Sequence, residues 1–128
     1  PLGKTLNDDP RFSFIRGDFF KLAVSEDGFL AEKPRTKYDA ILFDIDHSPT
    51  WLLAAPNGSF YTAEGLANMS AHLKPGGVFG MWSNDPPDQA FMELLASVFA
   101  TTDAIDIAFP NPIVGGESRG TVYVCHRD

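Results

Sequence analysis

Cysteine is nearly absent. Cys125 is the only one in 128 residues, so no disulfide can form within the chain, and a reducing compartment suits it. Basic residues are few as well. Ten Lys and Arg stand against 17 Asp and Glu, a formal charge of −7. They are scattered rather than blocked, and the balance argues against a nucleic-acid or anionic-membrane surface. No stretch approaches the roughly 20 apolar residues that a membrane span needs, and no secretory signal pattern opens the chain. A cytoplasmic location is expected. Neither repeats nor low-complexity segments occur. The G-x-G-x-x-G turn is missing too: the paired glycines of "PGG" (75–77) and "VGG" (114–116) open no helix after a strand. Ser48 lacks the flanking glycines of a nucleophile elbow, which counts against a serine hydrolase. The first residue is Pro1 rather than Met, so a processed product or a piece of a longer protein is expected.

What is present is material for one packed domain: 44% hydrophobic residues, 11 of the 128 being Phe, enough to bury a core. Alternation of Phe12 and Phe14 predicts a strand over 11–17, followed by a short helix over 19–24. The charged, Gly- and Pro-containing stretch 25–37 reads as a loop. A nearly continuous apolar run predicts a strand over 39–45, covered on both faces. After a long loop, 46–61, Thr62 is a plausible N-cap, and Leu66, Met69 and Leu73 keep helical spacing up to "KPGG" (74–77). A strand over 77–83 comes next. Asp85-Pro86-Pro87-Asp88 then starts a helix whose apolar face is Phe91, Leu94, Leu95, Val98 and Phe99. Two directly joined strands, 104–109 and 120–126, close the chain. The order β-α-β-α-β-α-β-β predicts an α/β fold with a mostly parallel sheet, covered on both faces, and an antiparallel finish.

In such sheets ligands bind beyond the carboxyl ends of the strands. Three strand ends carry polar groups there: Gly17-Asp18, Asp44 to His47, and Ser83 to Asp85. A carboxylate at that place accepts hydrogen bonds from an amine, a hydroxyl or an amino group, and acts as a general base when its pKa suits. Each residue also has a plainer role. Asp44 would cap the following turn, Asp46 and His47 would shape an Asx-turn into Ser48-Pro49, and Asp18 would cap the helix at 19–24. Asp85 is explained by capping, His72 by its place near a helix C-terminus, and Cys125 and His126 by their place in the last strand. No second His or Cys lies at ligand spacing from Asp44, Asp46 and His47, so no metal is expected.

Four blocks, "DPRFSFIRGDFF" (9–20), "YDAILFDIDHSP" (38–49), "FYTAEGLANMSAHLKPGGVFGMWS" (60–83) and the "VYV" finish, resemble the spermidine-synthase-like branch of the class I S-adenosylmethionine-dependent transferase superfamily. The resemblance implies a Rossmann-like sheet of order 3-2-1-4-5-7-6. This chain would supply its C-terminal part, strands 3 to 7, with strands 1 and 2 and the Gly-rich turn absent. It implies S-adenosylmethionine or decarboxylated S-adenosylmethionine as co-substrate and a small-molecule amine or other acceptor. Gly17, Asp18 and Phe19 would meet the donor's adenine end, and Asp44 would face donor tail and acceptor. Asp44, Asp46 and His47 would form the catalytic set. Polyamine-binding members carry Asp-x-x-Asp-Pro here, whereas this chain reads Asp44-Ile45-Asp46-His47-Ser48-Pro49. An imidazole at the fourth place is a poor partner for an ammonium ion. With strands missing, an apolar edge would be left bare, inviting a homodimer or other pairing through that edge. The alternative reading is a truncated, non-catalytic interaction module.

Overall fold

The computed structural model describes Thr5 and residues 8–128. Asp18 begins the first helix, α1 (Phe19–Val24), its Oδ1 accepting from the Phe20 and Lys21 amides at 3.0 and 3.3 Å and so satisfying two donors that a helix start leaves free. Strand β1 (Tyr38–Phe43) follows. A crossover then carries a short 3₁₀ turn, Ala55–Ser59, and helix α2 (Ala63–Ser70). Thr62 caps α2 through the Gly65 amide at 3.0 Å. Strand β2 (Leu73–Ser83) lies parallel to β1, with Ile41 opposite Phe79.

Helix α3 (Gln89–Ala96) starts one turn later than its sequence suggests. Asp88, not Asp85, is the cap, accepting from the Phe91 amide at 2.9 Å. Asp85 is held back: its amide donates to Ser83 Oγ, and its carbonyl accepts from Thr121 Oγ1. Strands β3 (Thr101–Pro110) and β4 (Glu117–His126) form a long hairpin.

The sheet order is β1-β2-β4-β3, with one parallel pair and two antiparallel pairs. The expected mostly parallel, Rossmann-like α/β sheet is therefore overturned: this is a small mixed sheet with more strand than helix. Two physical causes account for the difference. Residues 11–17 form no strand; a turn closes just before them, with the Phe12 amide on the Asp9 carbonyl and Arg11 paired to the Asp9 carboxylate. Phe14 stays 80% exposed. With that segment outside the sheet only one crossover remains, hence one parallel pair. The last two strands are joined by a loop too short for a crossover and must run antiparallel, and β4 inserts between β2 and β3.

The core lies on one side. From the sheet come Ile41, Phe43, Phe79, Met81, Tyr123 and Cys125, and from the helices Ala23, Leu66, Met69, Phe91 and Leu95, all buried. Phe43 stacks on Phe60 at 4.7 Å, and Phe79 on Phe99 at 5.8 Å. His72 is 3% exposed, and its Nε2–H donates to the Ala23 carbonyl at 3.0 Å, tying α1 to the start of β2. By strand alternation the opposite side carries Ala40, Leu42, Val78, Trp82, Val122, Val124, Ile105, Ile107 and Phe109. All three helices put their buried residues on the first side, so no described helix covers the second. Leu42 is 81% exposed there.

Candidate functional site

The carboxyl ends of β1 and β2 hold most of the expected site. Asp44 comes one residue after β1 and is exposed. Two residues on, Asp46 is 4% exposed and fully engaged. Its Oδ1 accepts from the Leu53 amide at 2.7 Å and from Asn57 Nδ2 at 2.8 Å, and its Oδ2 from Tyr61 Oη at 2.8 Å. Three donors make a buried carboxylate tolerable. The same bonds pin the long loop from 46 to 61 to the sheet. Burial, and then the Asp46 carboxylate beside it, raise the Tyr61 hydroxyl pKa far above the usual phenol range.

His47 is half-buried and packs its ring on Trp51, centroids 4.7 Å apart. Its carbonyl accepts from the Asn84 amide at 2.7 Å, which joins the end of β1 to the end of β2. Trp82 Nε1 donates to Asn84 Oδ1 at 2.8 Å, fixing which end of that side chain is oxygen. The Asn84 amino group thus faces His47 Nδ1 at 3.4 Å. Nδ1 is then the acceptor of that long contact, and the ring proton sits on Nε2. Ser48 is fully buried, and its Oγ accepts from the Trp51 amide at 3.1 Å. It shapes the turn, as Ser83 does at the end of β2.

Gly17, Asp18 and Phe19 lie elsewhere. Gly17 and Phe19 line an apolar slot of about 320 Å³ against the outer edge of β1, with Ile15, Leu22, Phe29, Tyr38, Ala40 and Ile41. The Tyr38 hydroxyl is buried without a hydrogen-bond partner among the described residues, and burial raises its pKa. Asp18 is half-exposed; one oxygen caps α1 and the other is 3.9 Å from Lys21 Nζ. Asp44 is not among the slot's lining residues, so the two groups of expected residues occupy separate places.

Sequence reasoning missed Trp51, Asn57, Tyr61, Trp82 and Asn84. The only advance signal was compositional: an Asn and a Tyr inside a long loop after a buried strand, where buried polar partners for Asp46 would have to come from.

No protein-family profile matches the chain, and no curated protein matches it. No helix among the described residues is long and apolar enough to cross a membrane.

Proposed function

We propose that this chain supplies the acceptor-side half of an S-adenosyl-ligand-dependent transferase of spermidine-synthase-like type, moving an aminopropyl or a methyl group to a small amine or other acceptor. The observation that carries this reading is Asp44: an exposed carboxylate one residue beyond a parallel strand, beside an aromatic and amide cluster of His47, Trp51 and Asn84. Two further facts support it. The four sequence blocks resemble that family, and the neighbour order β1-β2-β4-β3 is the one the family gives its last four strands. A single, buried cysteine is in keeping with a cytoplasmic setting.

The residues fit the base end of such a donor. The apolar slot takes a flat ring between Gly17 and Phe19, and Asp18 at its rim accepts from an amino group. Nothing among the described residues fits the donor's tail. When bound, the donor brings a sulfonium-activated carbon, so the protein has no leaving group to generate. What the chain's own residues do is simpler. Asp44 orients the acceptor and takes its proton. Trp51 walls that place from water, His47 offers an Nε2–H donor, and Asp46 holds the loop that carries both.

Titration calorimetry with S-adenosylmethionine and with its decarboxylated form tests the reading, on this chain and on the whole gene product where that is longer. Binding of one donor by the longer product supports it and names the group transferred. Asp44→Asn should then lower turnover by about 100-fold or more with donor affinity nearly unchanged; equal loss of both removes Asp44 from the chemistry. If neither donor binds, the second reading, a non-catalytic interaction module, takes its place. The observation favouring that one is the apolar sheet side left uncovered, together with the unpaired outer edge of β1 through which a homodimer or another chain would pair.

A further inference from the structure

A compact monomer of this mass, 14.0 kDa, exposes about 6,700 Å². This chain exposes 8441 Å², an excess of about 1,700 Å², roughly twice the share of about 800 Å² that each partner gives to a stable dimer. Part of the excess is the extended arm around Phe12 and Phe14. The largest continuous part that is also apolar is the helix-free side of the sheet. It crosses all four strands, from Ala40 and Leu42 on β1, through Val78 and Trp82 on β2 and Val122 and Val124 on β4, to Ile105, Ile107 and Phe109 on β3.

We infer that this side is a homodimer interface, against which a second copy of the chain stacks sheet on sheet. Three features point to a second copy. The first is area: the side is broad enough for a standard partner share. The second is charge. Despite the net −7, the strand positions facing this side bear only Asp103 and His126 as ionisable groups, both at the end of the sheet away from Trp82 and Phe109. Two copies therefore meet without the like-charge penalty their other surfaces would impose. The third is flatness. A Cβ on Gly80 would meet Leu42 Cδ2 at 2.9 Å, and one on Gly120 would meet Trp82 Cζ2 at 2.3 Å. The two glycines on the central strands let Leu42 and Trp82 lie down along the sheet, and Phe109 closes beside the indole at 6.1 Å. Sheets that pack face to face at about 10 Å need such a surface, and a two-fold axis makes the contact closed and self-complementary. Pairing through the β1 edge would instead offer six residues of backbone and leave the apolar side in water. The dimer forms whether or not the chain takes an S-adenosyl ligand.

Sedimentation equilibrium from about 1 to 100 μM tests this. The expected result is a mass twice 14.0 kDa at the upper end. Leu42→Glu combined with Ile105→Glu should weaken the dimer by about 100-fold or more. Both positions are exposed, 81% and 46%, so the variant keeps its far-UV circular dichroism. Leu53→Glu, an exposed apolar residue in the loop after β1, should leave the mass doubled. A chain that remains monomeric at about 100 μM, one that forms open-ended aggregates, or a dimer that survives the double substitution overturns the inference.

Discussion

The two sides of the sheet are made of similar residues and live in different worlds. On the covered side Phe79 is fully buried between Phe43 and Phe99; across the same sheet Leu42 is 81% exposed. Each side alternates strictly with the other, so what separates them is where three short helices were placed. Burial is conferred by the connections, and a strand's own composition does not decide it.

The contrast is sharpest in stability, measured by urea unfolding at about 1 μM, where the chain is monomeric. Phe79→Ala should cost about 3–5 kcal/mol, since it removes a stacked ring and leaves a cavity. Leu42→Ala should cost under about 0.5 kcal/mol. Equal costs would mean that the two sides are buried alike.

Asp46→Ala comes next, at about 3 kcal/mol. It leaves the Tyr61 hydroxyl, the Asn57 amide and the Leu53 amide without their acceptor. Limited proteolysis should then cut between 50 and 58 well before the sheet unfolds; cutting elsewhere first would show that the loop does not depend on Asp46.

Alkaline pH probes the covered side through Cys125. Burial, with Asp103 adding to it, pushes this thiol from 9.0 up to about 12. The folded state therefore holds a proton that the unfolded chain releases. Stability is complete below pH 9 and falls as pH rises from about 9 to 12, by roughly 2 kcal/mol between pH 9 and 11. Cys125→Ala should flatten that slope; an unchanged slope would assign it to the buried tyrosines.

On the bare side, Gly120→Ala should cost about 1–2 kcal/mol by forcing the Trp82 indole off the sheet, with a red shift of tryptophan emission. An unshifted spectrum would mean that the indole does not rest there.

The strands were legible where the apolar runs are long. The expected 39–45 is observed as Tyr38–Phe43, and 104–109 and 120–126 sit inside β3 and β4. Local capping was legible at Thr62 and Asp18, whose side chains need only their next neighbours. At Asp85 local rules misled, because two prolines allowed either acid to cap and Thr121, 36 residues away, drew the Asp85 carbonyl aside. Residues 11–17 alternate as a strand does, yet a strand needs an edge to pair with, and no local pattern records whether one is free. The same holds for coverage. Runs such as Ala40 to Phe43 and Val122 to Cys125 are apolar on both sides, which predicts two layers of helix where one is found. At the strand ends, position was readable and engagement was not: Asp44 and Asp46 look alike in the sequence, and only the returning loop distinguishes the exposed one from the buried one.

That returning loop has a consequence for how the chain reaches its fold. The partners of Asp46 lie 7, 11 and 15 residues away, while β1 must find β2 across 38 residues, from Ile41 to Phe79. Closing a short ring first removes much of the slack from the long one, because closure entropy grows with the logarithm of the enclosed length. A carboxylate buried beside the sheet thereby shortens the search that parallel pairing imposes. Asp46→Ala would slow refolding as well as weaken the product.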